Sequence, residues 1–466
     1  MDTTLQQPGG KGFYRSMLAL ALPIALQNLL ATSSNLVDTA MITRIGNLAV
    51  AGVGVAGRWS FFINLIFFGL ASGSSVLISQ YWGAKDRDNI QKTYGIGVLL
   101  GIGAAAVYTA VCLLFPTQLA SVYTNEAEVV ALAADYLRIV AFGMVPQAYA
   151  YFSSIARRAT EDVRTPVLGA IVTTCTNIFF NWVFIYGNLG APALGLRGAA
   201  LATALSMYAH FFFYIIVGAV RRHFTFMSPR KMLDFDKPYF FRYVKIMWPA
   251  LFNESLWAIG MNLYVMVFAR QGSENYAGYT VYASIQELGF IFFVGICAAC
   301  GIMVGKAVGS GNPNEAYTLG KRFLVMTPLL GLAVGGLIIL IRNPVLNLMQ
   351  VETEHARQVA SQLLLFYGCW VGVRNISYTA VVGTFRPGGD TKVGFYLDMA
   401  TMFGFAIPLV FILGFVVKIP FVWLVIAMYL AEDAPKTVIC LWYFRSKRWI
   451  RQLTQAGNNA LETPEG

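Results

Sequence analysis

The sequence predicts an all-α membrane protein: twelve transmembrane helices in two six-helix lobes related by a pseudo-two-fold axis along the membrane normal. Three observations predict it: sparse charge, apolar runs of span length, and basic clusters at alternate ends of those runs. Of 466 residues, 57% are hydrophobic and 12% charged, with a mean hydropathy of +0.60. A soluble domain carries roughly 25% charged residues, so about half of the usual water-facing charge is missing. The apolar runs are continuous and near the ~20 residues a spanning helix needs. Transmembrane barrel strands would instead alternate over segments of ~10 residues.

Bounded by Gly, Pro, Asn or charge, the spans of the first half are 17–43, 48–80, 93–115, 131–156, 166–187 and 196–220. Those of the second half are 243–269, 277–307, 320–341, 358–384, 391–415 and 420–444. Runs longer than ~25 residues tilt or extend past the lipid.

The net charge of +11 invites a nucleic-acid reading, but the placement of the basic residues excludes it. They gather as Lys85, Arg87 and Lys92; as Arg157, Arg158 and Arg164; and as Arg221, Arg222, Arg230, Lys231 and Lys237. Later groups are Lys306, Lys321 and Arg322; Arg386 and Lys392; and Arg445, Lys447, Arg448 and Arg451. The loops between these groups are poor in such residues. This positive-inside pattern puts both termini and the longest loop in the cytoplasm, which requires an even number of spans. The expected location is the inner (plasma) membrane, as a multi-pass protein. The expected organisation is a tail at 1–16, an N-lobe at 17–220, a linker at 221–242, a C-lobe at 243–444 and a tail at 445–466. The polar N-terminus, MDTTLQQPGGKGFYRS, does not read as a cleavable signal peptide.

Six cysteines (Cys112, Cys175, Cys297, Cys300, Cys369 and Cys440) all fall inside apolar segments. Cys297 and Cys300 are spaced CxxC without a second pair or a neighbouring His, so packing is their expected role.

The two halves repeat. Pro23 and Gly46 lie 226 residues before Pro249 and Gly272, and the same offset links Gly69 to Gly295 and Gly83 to Gly309. RRATEDVRTP, with Arg158 and Asp162, matches FRPGGDTK, with Arg386 and Asp390, at an offset of 228. A six-helix unit has both ends on one side of the membrane. Two in tandem therefore share an orientation, as in parallel-repeat transporters. A cleft between such halves is a physical basis for alternating access, and it moves a substrate without a catalytic site.

Ionisable residues inside a membrane helix are costly and usually face a cavity or a partner. Asp38, in NLVDTAMI of the first span, has no basic residue near it in sequence. A carboxylate there can bind a cation, take up a proton, or hydrogen-bond another span. Asn177 and Asn181 share one face of the fifth span at i, i+4. Their amide oxygens could complete a shell for Na+ with Asp38, or they could simply bridge helices. Glu254 occupies the place of Asn28 in the repeat, and Asp38 that of Tyr264, so the halves match in backbone and differ in charge. Glu254 and Glu287 are candidates for proton exchange or for holding a cationic substrate, and Asn28, Tyr264, Tyr282 and Asn375 are further candidates for the same site. Arg374–Asn375 and Asp398 are expected to form a charge pair across helices. Arg58, Arg138, Glu432, Asp433 and Lys436 are read as residues near span ends that snorkel or pair. Tyr149, Tyr264, Tyr282, Tyr378, Trp59 and Trp257 are rings that could hold flat cations in a cavity.

These residues resemble those of the multidrug and toxic compound extrusion (MATE) transporters, within the multidrug/oligosaccharidyl-lipid/polysaccharide flippase superfamily. The resemblance rests on PIALQNLLATSSNLVDTAMITRIG, RRATEDVRTP, VGSGNPNEA, FRPGGDTK and NIFFNWVFIYGNLGAPALGLRGAALATALS, and covers about residues 15 to 445. It implies a bilobed antiporter that expels amphipathic, often cationic, small molecules in exchange for H+ or Na+. No cofactor beyond that ion is implied. Asp38 is similar to the family's first-span coupling aspartate, and Asn177 to the asparagine beside it. Asn181 stands where several members have a second aspartate, and Thr203 is near a hydroxyl that can complete the cation site. Glu254 is similar to the seventh-span glutamate of many members. A tenth-span aspartate of some branches is replaced in the Arg374–Asn375 region, which departs from their second-lobe coupling scheme.

The expected partners are small-molecule substrates and the bilayer, with no nucleic acid, and the expected state is a monomer. A lipid-linked or metabolite flippase of the same superfamily is the competing reading, and it would favour a strongly cationic cavity. A channel lacks a filter-like repeat. An enzyme lacks a constellation: His210, His223 and His355 form no ligand cluster, and there is no phosphate-binding loop.

Overall fold

The structure, a computed structural model, describes residues 10–226, 232–349, 351 and 353–454. The expected tail residues 1–9 and 455–466 and linker residues 227–231 lie outside the described residues. Twelve long helices follow one another among the described residues. In the first half they are α1 (Gly10–Thr43), α2 (Asn47–Gly83), α3 (Arg87–Leu114), α4 (Ala127–Ala159), α5 (Arg164–Tyr186) and α6 (Leu196–Val220). The second half has α7 (Lys237–Ala269), α8 (Ser273–Gly309), α9 (Pro313–Leu348), α10 (Glu354–Tyr378), α11 (Lys392–Val417) and α12 (Phe421–Ser446). A short helix, Pro116–Ser121, precedes α4. α10 runs on through a π-helical turn at Thr379–Phe385, and α11 contains two more. Each expected span coincides with one of these helices.

Ten of the helices are long and apolar enough to cross a membrane by length and composition. The two that are not, α10 and α12, carry Arg374, and Glu432, Asp433 and Lys436. Arg374, Asp433 and Lys436 pair inside the protein, as described below, so hydropathy alone undercounts these helices.

The repeat is written in the backbone. Asp86 caps α3 by accepting the Asn89 N–H at 3.1 Å, and 226 residues later Asn312 caps α9 by accepting that of Glu315 at 3.2 Å. The turn before each cap places a residue at positive φ, Lys85 at 59° and Gly311 at 76°. At the 228 offset, the Asp162 N–H donates to Arg157 O and the Asp390 N–H to Phe385 O, both at 2.9 Å. Glu161, with φ of 66°, sits where the second half has Gly389, with φ of 104°. Gly83 and Gly309 also answer each other. A Cβ on Gly83 would come 2.0 Å from Lys306 O, and one on Gly309 would come 1.8 Å from Gln80 O.

The chain divides into two compact units, and the division falls inside helices and not in the 221–242 linker. The N-terminal unit holds Leu26–Ile78 and Asp86–Leu251. The C-terminal unit holds Met1–Ala25, Ser79–Lys85 and Phe252–Gly466. The cuts in α1 and α7 are again 226 residues apart. Each follows a proline within the helix, Pro23 or Pro249, which leaves one rung of the backbone ladder unmade.

Within the N-terminal unit α4 packs on α3 and α6, and α5 on α6. In the C-terminal unit α10 packs on α8, α9 and α12. α9 and α10 approach through small residues: a Cβ on Gly335 would come 1.8 Å from Gly368 O, and one on Gly331 would come 2.3 Å from Gly372 Cα. The segment after α12 is also packed. Trp449 is fully buried, Arg451 N–H donates to Gly388 O at 2.6 Å, and Leu453 N–H to Gln80 Oε1 at 2.8 Å.

Candidate functional site

In the N-terminal unit the last third of α1 meets α5. Asn181 Nδ2 donates to Asp38 Oδ1 at 2.5 Å and to Asn177 Oδ1 at 3.3 Å, and the Ser34 hydroxyl reaches the same Asn177 oxygen at 3.5 Å. Asn177 and Asn181 are buried and Asp38 is partly buried. The i, i+4 spacing on α5 brings both amides to one face, and that face meets the only acidic residue of α1. Among the described residues no basic side chain pairs with Asp38. Asn181 Oδ1 is buried without a hydrogen-bond partner. Thr203, on α6, donates to Ala199 O on its own helix and lies 3.5 Å from the Tyr136 hydroxyl. Ile42 of α1, Ile185 of α5 and Leu196 and Ala199 of α6 share one buried apolar cluster, and Tyr136 of α4 packs against it, so α4 and α6 lie beside the site.

Asp38, Asn177 and Asn181 thus come together, with Thr203 on the next helix. Carboxylate, amide and hydroxyl oxygens are the donors a hard cation takes, and a lone carboxylate also suits one proton. The set is compatible with either. Among the described residues no group of His, Cys, Asp and Glu with metal-holding geometry occurs, and Cys297 and Cys300 are buried free thiols.

The C-terminal unit is built differently. Glu254 Oε1 forms an ion pair with Arg386 at 2.7 Å. Arg386 also donates to Asn253 Oδ1, and the amide of Asn253 donates to Asp398. Lys436 pairs with Asp398. On α10, Arg374 reaches Asp433 at 3.3 Å and lies over the Tyr429 ring at 4.8 Å, while Trp370 Nε1 donates to Asp433 at 3.1 Å. The expected pairing of Arg374 with Asp398 is therefore corrected: each has its partner on α12. Glu432, Asp433 and Lys436 are not near a span end. They sit mid-helix, the two acids 3% and 2% exposed. At i, i+4 on α12, Glu432 and Lys436 lie on one face, a spacing that could have signalled a buried charge cluster.

The other candidates are dispersed. Glu287 is exposed and makes no hydrogen bond or ion pair among the described residues. Asn28 is half-buried, with its Nδ2 unpartnered. Asn375 is fully buried and donates to Val371 O on its own helix at 2.8 Å. Tyr264 and Tyr282 present no ring to open space. Both lie in the core of the C-terminal unit, and the Tyr282 and Tyr429 hydroxyls are 2.6 Å apart.

Beyond the spans, a turn and a loop close the N-terminal unit. Buried Arg157 donates to Asp162 at 3.0 Å and to Thr225 at 3.1 Å, and His223 Nδ1 lies 3.0 Å from the same Thr225 hydroxyl. Burial pushes His223 down to about 4, and Arg157 and Arg221 add to the effect. Burial raises the Asp162 carboxyl, but hydrogen bonds from Thr165 and then Arg157 outweigh it and hold the group below the usual range.

Two lobes of repeated fold with polar clusters inside apolar helices define a multi-pass membrane transporter of the parallel-repeat kind. The MatE family profile matches residues 23–183 and 249–412, and the chain belongs to that family. It is 23% identical over 448 residues to the probable multidrug resistance protein NorM of Thermotoga maritima, covering 94% of this chain and 93% of that protein. It is 26% identical over 424 residues to the probable multidrug resistance protein YoeA of Bacillus subtilis, covering 89% and 90%. A crystal structure of MATE in the bent conformation superposes with a TM-score of 0.84 at 20% identity, covering 93% of this chain and 95% of the other.

Proposed function

We propose that the protein is a secondary antiporter that exports amphipathic, often cationic, small molecules in exchange for H+ or Na+, by alternating access between its two lobes. The observation that carries the reading is Asp38: a partly buried carboxylate without a counter-charge, held by Asn181 against a second amide. A lone carboxylate in lipid is costly unless it is neutralised. Exchange of a proton or Na+ at this position therefore changes the energy of the α1–α5 contact, which is how an ion gradient drives motion. The names of the relatives, multidrug resistance proteins, support a cargo of toxic organic compounds. The basic clusters support cytoplasmic termini and a plasma-membrane location. The flippase reading calls for unpaired cavity cations, whereas Arg374, Arg386 and Lys436 are all paired with acids.

The test is efflux of ethidium, a flat aromatic cation, from energised vesicles with the H+ and Na+ gradients imposed one at a time. Asp38→Asn should abolish efflux under the gradient that drives the parent. Equal export by parent and variant under both gradients would remove Asp38 from coupling.

A further inference from the structure

Among the described residues of the C-terminal unit, the buried acids outnumber the cations paired with them by one, with Asp390 matched by Arg451. Arg386 is matched by Glu254 and Lys436 by Asp398. Arg374 faces two acids, Asp433 and Glu432, which leaves one carboxylate in excess. Geometry says which one. Asp433 accepts from Trp370 Nε1 at 3.1 Å and from Arg374 at 3.3 Å with both of its oxygens engaged, so it is the ionised partner. Glu432 is 3% exposed, and its Oε2 is buried without a hydrogen-bond partner.

The groups that act on Glu432 come from four helices. α7 brings Tyr264, whose buried hydroxyl faces the Glu432 carboxyl without a hydrogen bond of normal geometry. α10 brings Arg374, α11 brings Asp398, and α12 brings Asp433 and Lys436. Both cations are committed to Asp433 and Asp398. A second ionised carboxylate beside them would be an uncompensated buried charge, which costs several kcal/mol. One proton removes that cost. At the 226 offset the first half has Ser206 in place of Glu432, so this carboxylate has no counterpart in the repeat.

We propose that Glu432 is a proton-binding site of the C-terminal unit, separate from Asp38, and that an organic cation entering the protein releases its proton. The protonation stands on the charge count and the burial; only the release rests on the antiport reading.

The experiment is difference infrared spectroscopy of the purified protein in ester-free detergent at neutral pH, reading the carboxylic-acid C=O band. The parent should show a band that shifts on incorporation of glutamate carrying 13C in its side-chain carboxyl, but not on incorporation of labelled aspartate. Glu432→Gln should lose the band, and Asp38→Asn and Glu254→Gln should keep it. Adding ethidium to parent protein in weak buffer should diminish the band as protons appear in solution, and Glu432→Gln should release fewer. Absence of a band that follows labelled glutamate, or survival of that band in Glu432→Gln, overturns the site. A band that ethidium leaves unchanged overturns the release. The labelled parent keeps the site testable if the variant does not fold. Loss of the antiport reading through an inert Asp38→Asn leaves the band in place, so the two failures are distinguishable.

Discussion

Asn181 donates its amide to Asp38 at 2.5 Å, across 143 residues of sequence. The repeat has no second copy of this bond. Tyr264 replaces Asp38 at the 226 offset, and Phe405 and Leu409 replace Asn177 and Asn181 at the 228 offset. A hydrogen bond to a charged group contributes about 1.5–3 kcal/mol. Asn181→Ala should therefore weaken gradient-driven ethidium efflux by about 10-fold or more, with Asn181→Asp changing which gradient is most effective. Initial efflux rates at a fixed amount of folded protein check this.

Much of this cluster is legible in sequence. Asp38 is the only acid of a long apolar run, and the i, i+4 amides define a face without reference to any partner. The pairings of the second half are not legible in the same way. Arg374 has Asp398, Glu432 and Asp433 as available acids, and only helix packing selects Asp433, 59 residues away. Arg386 reads as a landmark of the repeated FRPGGDTK turn, so its ion pair with Glu254 emerges only from the fold. Helix existence follows from apolar length, whereas the units exchange at Ala25 and Leu251, inside runs that sequence treats as whole.

The Glu254–Arg386 pair makes a prediction of sign. Both side chains are largely buried, at 16% and 2% exposure. Removing one partner from a buried pair costs about 3–5 kcal/mol, because the other charge is left uncompensated. Arg386→Gln should lower the melting temperature in detergent sharply. Adding Glu254→Gln should recover part of the loss, and a double-mutant cycle by thermal melting reads the coupling.

The loop that closes the N-terminal unit predicts a pH dependence. His223 is buried and lowered from 6.5 to about 4. In the unfolded chain it charges below about 6.5, whereas in the fold it stays neutral until about 4. Its contribution to stability is thus fully present above pH 6.5 and lost as pH falls toward 4. The melting temperature should drop over that window in the parent and drop less in His223→Gln. Asp162, held low, adds its own loss only at still lower pH.

α9 and α10 touch through backbone at Gly335 and Gly368, where a Cβ on Gly335 would sit 1.8 Å from a carbonyl oxygen. No rotamer change relieves a clash with backbone, so the helices must separate. Gly335→Leu should destabilise by more than the ~1–3 kcal/mol of ordinary overpacking, while Gly336→Leu on the same helix, where a Cβ meets nothing within 4 Å, should be near neutral. Paired melting curves of the two variants separate a packing effect from one of helix propensity.

Thr203 separates the two candidate ions. Its hydroxyl already donates to Ala199 O at 3.0 Å and so has only an acceptor oxygen to offer a cation bound at the cluster. A proton on Asp38 needs one carboxylate and no shell, so Thr203→Val should leave H+-driven efflux close to the parent. Na+ needs several oxygens at once, and Asp38, Asn177 and Asn181 supply at most one each beyond their mutual bonds. Losing the Thr203 oxygen would then raise the Na+ concentration for half-maximal efflux by about 10-fold or more, since one ligand is worth at least the ~1.4 kcal/mol of a tenfold change. Titrating efflux against Na+ at constant pH, and against pH without Na+, in parent and Thr203→Val reads the coupling ion directly. The partner that matters for Na+ is the third helix around Asp38; for H+ it is Asn181 alone.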